Sequence, residues 1–243
     1  MRKFIQQCLE PFTTSKSSRY LLLALIVQGL YWYNVAPAFG RVDSSLGVSS
    51  GLSFASGVVR IAWTVLLFLV IPLISMLLWQ DVTLTKLRAT WLTLGDVSAG
   101  LTPTLICSGV AVVLLWIGSS DPQLQATYPW AGAWAGTSFA ALVLWSLLRL
   151  IYYSAFEFFY RGFLLEVVRE QHGLTVAIWI QAACSFLIHL GTPTAEVIAA
   201  LPAGFLFAAL ALRGRSLVYP IVFHWVIGLA TDIFCLWRLG VLL

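Results

Sequence analysis

An acid and a base stand one helical turn apart in the apolar segment FEFFYRG, residues 156–162. Glu157 and Arg161 are spaced i,i+4 with the acid first, which is the favourable order for an ion pair along a helix. Burying charge in an apolar helix is costly, so the pair is either a self-neutralised strut or part of an active site. Glu166 and Arg169, further along, are expected at the solvated end of the same helix.

Two histidines and a second acid stand in other apolar segments. His189 follows QAACSFLI, His224 follows YPIVF, and Asp232 lies two turns beyond His224. A carboxylate and two imidazoles are the groups needed to activate water and stabilise an oxyanion, so we expect Glu157, His189 and His224 to converge on one cavity. Each histidine alone could instead be an interfacial residue or a donor to a carbonyl. Asp232 either pairs with Arg238 or faces the site.

The elements that carry these residues are expected to be membrane helices. Of the 243 residues, 60% are hydrophobic and 10% are charged, whereas a soluble domain has about 25% charged residues. Basic residues flank the apolar runs, so the net charge of +4 indicates membrane topology and not a nucleic-acid partner. The four cysteines include no CxxC, which supports neither a zinc knuckle nor a disulfide framework. The sequence predicts an all-α polytopic membrane bundle of about seven to eight helices.

The N-terminal part, residues 1–130, is predicted to hold an interfacial segment and about three transmembrane spans. Residues 1–18 are mixed in polarity and are expected along the membrane surface. Apolar runs long enough to cross a bilayer predict spans at 20–39, at 61–80 with a kink near Pro72, and at 99–118. Residues 81–96 are typical of a cytoplasmic amphipathic connector, and residues 119–130, with an acid and no Lys or Arg, are expected outside.

The C-terminal part, residues 131–243, is predicted to form the core that carries the chemistry. Apolar sequence from Ala131 to Leu148 continues with helical character through Glu170, which is too long for one crossing, so we expect a break or strong tilt at residues 152–154. Further spans are predicted at 174–190, 196–212 and 216–237. We expect a multi-pass protein of the bacterial plasma membrane with its N-terminus in the cytoplasm, because basic residues precede the first span.

Three blocks of the sequence resemble the CAAX-protease and bacteriocin-processing family of glutamate-type intramembrane proteases. The blocks are FEFFYRGFLLEVV, QAACSFLIHLGTPTAE and LRGRSLVYPIVFHWVIGLATDIF, and they stand in the family's order. The resemblance covers roughly residues 133–238. It implies an intramembrane endopeptidase whose partners are membrane lipid and a membrane-associated or lipidated protein or peptide substrate.

The resemblance also implies a role for each matched residue. The family's first block has two glutamates, three further residues and an arginine. Glu157 matches the second glutamate and Arg161 matches the arginine, while Phe156 stands at the first glutamate. His189 matches the histidine that holds the attacking water, and His224 matches the histidine that polarises the scissile carbonyl. The resemblance thus implies Glu157, His189 and His224 as catalytic residues.

Two positions depart from the family's pattern. The family's first glutamate activates the water, and adjacent helical residues point about 100° apart. Glu157 therefore replaces it as base only if a local bulge or a rotation re-aims the helix. Asn or Asp often stands four residues after the second histidine, where this chain has Gly228 and then Asp232 one turn further. In a working site Arg161 keeps Glu157 ionised, and Asp232 orients His224 as a supporting residue.

The sequence leaves three alternatives to a protease without a metal ion: an inactive binding protein, a carrier and a zinc enzyme. Phe156 and Gly228 favour a catalytically inactive member that acts as a binding, immunity-type or adaptor protein. A proton-coupled carrier would show two related halves, which the sequence lacks. A catalytic zinc needs three protein ligands, which Glu157, His189 and His224 could supply, although their spacing is not the compact HExxH pattern. No cofactor is certain, and zinc is an open alternative.

Overall fold

The computed structural model describes residues 16–35, 52–79 and 93–242. Within these ranges the regular elements are helices and no strand occurs, which confirms the predicted all-α bundle. The helices are α1 Lys16–Val35, α2 Phe54–Leu78, α3 Val97–Gly118, α4 Pro122–Thr127, α5 Phe139–Glu157, α6 Leu165–Leu187, α7 Thr194–Gly214 and α8 Val218–Arg238. Most of the predicted interfacial segment, residues 1–18, and most of the predicted connector, residues 81–96, lie outside the described residues.

Five helical runs in the described part of the chain are long and apolar enough to cross a membrane. They are Phe54–Leu78, Val97–Gly118, Phe139–Leu187, Thr194–Gly214 and Val218–Arg238. Each predicted span after the first overlaps one of these runs, so this is an integral membrane protein that crosses the bilayer several times. Residues 20–35 of the predicted first span lie in helix α1, and residues 36–39 lie outside the described residues. Helix α1 is not among the five runs, because polar residues such as Arg19, Gln28 and Asn34 lower its mean hydropathy.

Helix α2 contains a π-helical stretch, Leu66–Val70, directly before Pro72. Proline has no N–H, and its ring clashes with the carbonyl four residues earlier, so a regular α-helix cannot run unchanged through this point. The N–H of Ile71 bonds instead to the carbonyl of Leu66, which is the wider i→i−5 bond of a π turn. The kink predicted near Pro72 is therefore a local widening of the helix just before the proline.

The run from α5 to α6 is interrupted at places that differ from the prediction. Residues 132–136 form a 3-10 turn, and α5 begins at Phe139 rather than near Ala131, with the Ser138 hydroxyl capping its first turn. The break predicted at residues 152–154 is wrong, because those residues are α-helical and the π-helical stretch lies at Phe158–Leu164. All seven residues of that stretch are buried, so packing against neighbouring helices sets the place of the irregularity.

The boundary predicted between residues 170 and 174 coincides with a kink at Gly173. This residue has φ 80° and ψ 168° inside the run that is otherwise helical. Glycine adopts a positive φ without steric cost because it has no Cβ. The chain can therefore change direction here between the fourth and the fifth predicted spans.

Helix α5 lies centrally and packs against α2 and α8, while α6 packs against α7, and α3 lies against α7 and α8. Helices α6 and α7 approach closely at Gly204, where an added Cβ would lie 3.0 Å from Ala182, and the Gln181 amide donates to the Gly204 carbonyl at 3.0 Å. Small residues allow such close approach between membrane helices. This packing brings the second half of α5, the end of α6, the start of α7 and the first half of α8 around one space.

Candidate active site

A cavity of about 320 Å³ lies between α3, α5, α6, α7 and α8. Most of its wall is apolar, and its polar lining includes His189, His224, Glu196 and Arg149. Ligand sites in proteins are typically concave and mostly apolar, with a few polar groups that fix the ligand's orientation. The structure thus brings together the two histidines singled out by the sequence, one just after α6 and one on α8.

Glu157 lies behind the wall of this cavity and is fully buried. Its Oε1 atom is 2.6 Å from Nδ1 of His224, and its Oε2 atom is 3.3 Å from Nε of Arg161. An ionised carboxylate only accepts hydrogen bonds, so Nδ1 of His224 carries the hydrogen and Nε2 is the ring nitrogen left for other contacts. The ion pair expected from the i,i+4 spacing is present, and it extends to a third residue on another helix.

Phe156 occupies the side of α5 that faces the cavity. Its ring centroid is 5.1 Å from that of His224 and 6.2 Å from that of His189. The π-helical stretch starts at Phe158, after both residues, and does not exchange their directions. The residue at the position of the family's first glutamate is therefore a phenylalanine whose ring lies near both histidines. The Glu157 side chain points away from them toward Arg161.

A second carboxylate, Glu196 in the first turn of α7, reaches the cavity near His189. The Nδ1 atom of His189 is 2.6 Å from the carbonyl oxygen of Ser185, so this nitrogen carries the hydrogen. The other ring nitrogen, Nε2, is 3.8 Å from Oε1 of Glu196. The His189 ring is therefore fixed by the backbone on one side, while its free nitrogen is directed at a carboxylate.

The hydroxyl of Tyr128 holds Glu196 from the loop that follows α4. It lies 2.9 Å from Oε2 and 3.1 Å from Oε1 of the carboxylate. Burial raises the pKa of the Tyr128 hydroxyl well above its ordinary value, and the negative charge of Glu196 raises it further. Tyr128 therefore remains a protonated donor to the Glu196 carboxylate over the whole physiological pH range.

Sequence reasoning missed Glu196 as a site residue. Its signal was present, because it is an acid at the start of an apolar span, in the segment HLGTPTAE that begins with His189. An acid in the first turn of a helix is usually explained as a partner of the helix dipole. Only the packing of this turn against His189 and Tyr128 shows that the carboxylate also belongs to the cavity wall.

Asp232 holds Arg149 instead of either partner expected from the sequence. Nε1 of Trp145 donates to Oδ2 of Asp232 at 2.9 Å, and Nε of Arg149 is 3.3 Å from the same oxygen. The expected contact with His224 is not formed, because Glu157 binds that ring. Arg238 bonds instead to the hydroxyl of Ser119 and the carbonyl of Trp116.

Arg149 is buried among aromatic rings and also lines the cavity. Its guanidinium carbon lies 4.7 Å to 5.8 Å from the ring centroids of Trp130, Tyr153, Tyr152 and Tyr128. Its Nη1 atom has no hydrogen-bond partner among the described residues. A buried cation with an uncommitted donor at the cavity wall is suited to contact a developing negative charge.

Tyr153 leaves no room for a side chain at Gly228, the second departure from the family's pattern. An added Cβ at Gly228 would collide with the Tyr153 hydroxyl and ring. Overpacking of this kind costs about 1–3 kcal/mol, so we expect Gly228→Ala to lower the thermal unfolding temperature of the purified protein in detergent. Gly109→Ala is the matched control, because a Cβ at Gly109 meets nothing within 4 Å. Equal unfolding temperatures for the two variants would contradict this packing.

The described residues do not assemble the zinc site that the sequence left open. No group of three or more His, Cys, Asp or Glu side chains in the described ranges could hold a metal ion. The three residues considered as ligands do not converge on one point, because Glu157 is bound to His224 while His189 faces Glu196. A catalytic zinc usually has three protein ligands, so these residues do not fit it as they are placed.

Comparison with known proteins agrees with the resemblance found in the sequence. No curated protein matches the chain. No solved structure matches it either. The family model described as type II CAAX prenyl endopeptidase, Rce1-like, matches residues 138–230, a segment shorter than half of the chain that contains Glu157 and both cavity histidines. Over this segment the chain is similar to the family of CAAX prenyl endopeptidases.

Proposed function

We propose that this protein is an intramembrane endopeptidase that hydrolyses a peptide bond of a membrane-associated protein or peptide. One observation carries the proposal: His189, just after α6, and His224, on α8, line the same cavity inside a membrane bundle, and each has its Nδ1 atom fixed by a buried or backbone oxygen. The match to a CAAX endopeptidase family supports the same reaction class. The fold of residues 131–243 would serve as the protease core.

The proposed mechanism gives the two histidines different tasks. His189 holds the attacking water through Nε2. His224 contacts the oxygen of the scissile carbonyl through Nε2, and it donates a hydrogen bond there when its ring is protonated. Glu157 is assigned the positioning of His224 and not the role of base expected from the sequence, because Oε1 is hydrogen-bonded to His224, Oε2 lies against the Arg161 guanidinium, and the residue is not part of the cavity lining. Arg161 neutralises Glu157.

The proposed substrate reaches the cavity through the bilayer. The cavity wall is mostly apolar and opens within helices that span the membrane. A lipidated tail, a leader peptide or a transmembrane sorting segment would bring a peptide bond to this depth. Prenylation of the substrate is not required by the proposal. The distribution of basic residues supports a cytoplasmic N-terminus, and the proposed location is the bacterial plasma membrane.

A second candidate is a protein that has the fold but performs no chemistry, acting as a membrane binding, immunity-type or adaptor protein. Phe156 favours it, because a phenyl ring lies between the histidines where the family's pattern has a glutamate. A binder needs the shape of the cavity, whereas an enzyme needs the imidazoles. Replacing His189 by Ala separates the two, since only the enzyme should lose its effect.

The test is a comparison of peptide termini in membranes of cells that carry wild type, His189→Ala or Glu157→Gln at matched protein levels. Mass spectrometry of protein termini should find one or more new termini with wild type that both variants lack. Identical termini in all three, under conditions where the gene still changes the cell's phenotype, would favour the binding protein.

A further inference from the structure

We infer that Glu196 is the catalytic carboxylate that takes the proton from the attacking water, in the place of the glutamate that is absent at Phe156. The inference rests on the proposed peptidase function and identifies the base of that same site. It assigns a role to a residue outside the family's three motif positions. Four features of the structure support it: the geometry toward His189, the hydroxyl of Tyr128, the fixed start of α7, and the position of Glu157.

The gap between Glu196 and His189 has the size of a bridging water site. Their atoms Oε1 and Nε2 are 3.8 Å apart, which is too long for a direct hydrogen bond, and a water about 2.8 Å from each atom fits on the cavity side. Nδ1 of His189 donates to Ser185, so Nε2 accepts in the neutral ring. Such a water would donate both hydrogens to these two atoms and turn its lone pairs toward the cavity.

The Glu196 carboxylate is held in place by residues outside its own helix. The Tyr128 hydroxyl lies within hydrogen-bond distance of both carboxylate oxygens. The start of α7 is fixed in turn by Gln123, whose side-chain oxygen accepts from the N–H of Thr194 at 3.1 Å. Negative charge is also favoured at a helix N-terminus. The carboxylate is therefore positioned before a substrate arrives.

The other buried carboxylate is poorly placed for this task. Glu157 has no exposed surface and is engaged by His224 and Arg161. Phe156 stands between the histidines, and no carboxylate reaches the cavity from that position. Glu196 approaches the same space from the opposite side, on α7. The site thus keeps a carboxylate next to the water-holding histidine although its motif position has changed.

The reaction is balanced with the groups at hand. The water oxygen bonds to the carbonyl carbon while Glu196 accepts one water proton and the carbonyl oxygen becomes an oxyanion facing His224 and Arg149. When the carbon–nitrogen bond breaks, the carbonyl reforms, and the leaving nitrogen takes the proton from Glu196. The products are a carboxyl terminus and an amino terminus, and the Glu196 carboxylate is restored.

The test measures how fast the wild-type-dependent termini appear after induction in cells carrying Glu196→Gln. General-base catalysis contributes about 10²–10⁴-fold, so a loss of that size is expected, and Glu166→Gln should match wild type. Glu166 is a suitable control because it forms an exposed ion pair with Arg169 away from the cavity. Adding Phe156→Glu to Glu196→Gln should restore at least a tenfold higher rate, since a carboxylate then returns between the histidines.

The outcomes separate this inference from the proposed function. If the termini are absent with His224→Ala but appear at the wild-type rate with Glu196→Gln, the role of Glu196 is overturned and the proposed peptidase function is not. Loss in a folded Glu196→Gln protein without any recovery by Phe156→Glu would also overturn the inference and leave Glu196 a structural role. No wild-type-dependent termini at all would overturn the proposed function and with it the base. If the Glu196→Gln protein does not accumulate, the Tyr128→Phe variant is measured instead. It removes one hydrogen bond to a charged group, so the cleavage rate should fall by about tenfold. An unchanged cleavage rate in this variant would overturn the inference.

Discussion

Asp232→Asn is expected to lower the free energy of unfolding by about 3–5 kcal/mol, the usual cost of removing one partner of a buried ion pair. Asp232 is fully buried, and its charge partner Arg149 is almost fully buried. The neutral amide could still accept from Trp145 but would leave the guanidinium uncompensated inside the bundle. The measurement is thermal unfolding of the purified protein in detergent, followed by the loss of its main peak in gel filtration.

A double variant tests whether the uncompensated charge causes the loss. Arg149→Met in the Asp232→Asn background removes that charge, so the double variant should be more stable than Asp232→Asn alone. Glu166→Gln breaks an exposed ion pair with Arg169 and should change stability by less than about 1 kcal/mol. Strictly additive losses in the double variant would mean that the two residues act independently, contrary to the observed contact.

Glu157→Gln is expected to lower the cleavage rate by about 10²–10⁴-fold, because loss of the carboxylate that fixes a catalytic imidazole has effects of that order. Glutamine offers one acceptor oxygen where His224 and Arg161 both donate. Its amide nitrogen must then face either the Arg161 guanidinium or the His224 ring, and in both arrangements the negative charge that balances a protonated His224 is lost. The change also leaves the buried Arg161 guanidinium without its carboxylate, so the protein should be less stable as well, and the cleavage rate is compared per amount of folded protein.

Two comparisons distinguish positioning from a general structural role. Glu157→Asp keeps the charge with a shorter side chain, so it should recover part of the rate lost in Glu157→Gln. The pH dependence of the cleavage rate should also change in Glu157→Gln, because the carboxylate partner of His224 is gone, whereas Glu166→Gln should reproduce the wild-type profile. If the Glu157→Gln protein has the wild-type cleavage rate and pH profile, the ion pair of Glu157 and Arg161 has only a structural role.

The membrane helices were the part of the fold that could be predicted from sequence. Apolar runs of bilayer length gave the later spans, and Gly173 lies at the predicted boundary. The break inside the long run was placed wrongly at residues 152–154, since no breaking residue such as proline marks the π-helical stretch at Phe158–Leu164. Apolar composition does not distinguish an α turn from a π turn. The choice depends on packing against α1 and α2.

The candidate site was predicted in part. His189 and His224 share a cavity, as their residue types and helices suggested. Which side of α5 faces that cavity could not be deduced, because adjacent positions differ by about 100° and both Phe156 and Glu157 are buried. Glu196 was missed because its relevance depends on the contact between α7 and the turn after α6. Such contacts between helices are not encoded in local spacing.

The most direct test of the central claim asks whether this chain alone breaks a peptide bond. Wild type and His224→Ala are purified, reconstituted in lipid nanodiscs, and incubated with a protein whose terminus depended on wild type in cells. We expect the same new terminus with wild type and a loss of at least about 100-fold with His224→Ala. A terminus seen in cells but not produced by the purified wild-type protein would contradict the proposal that this chain hydrolyses the bond. The chain would then act as an adaptor for another protease.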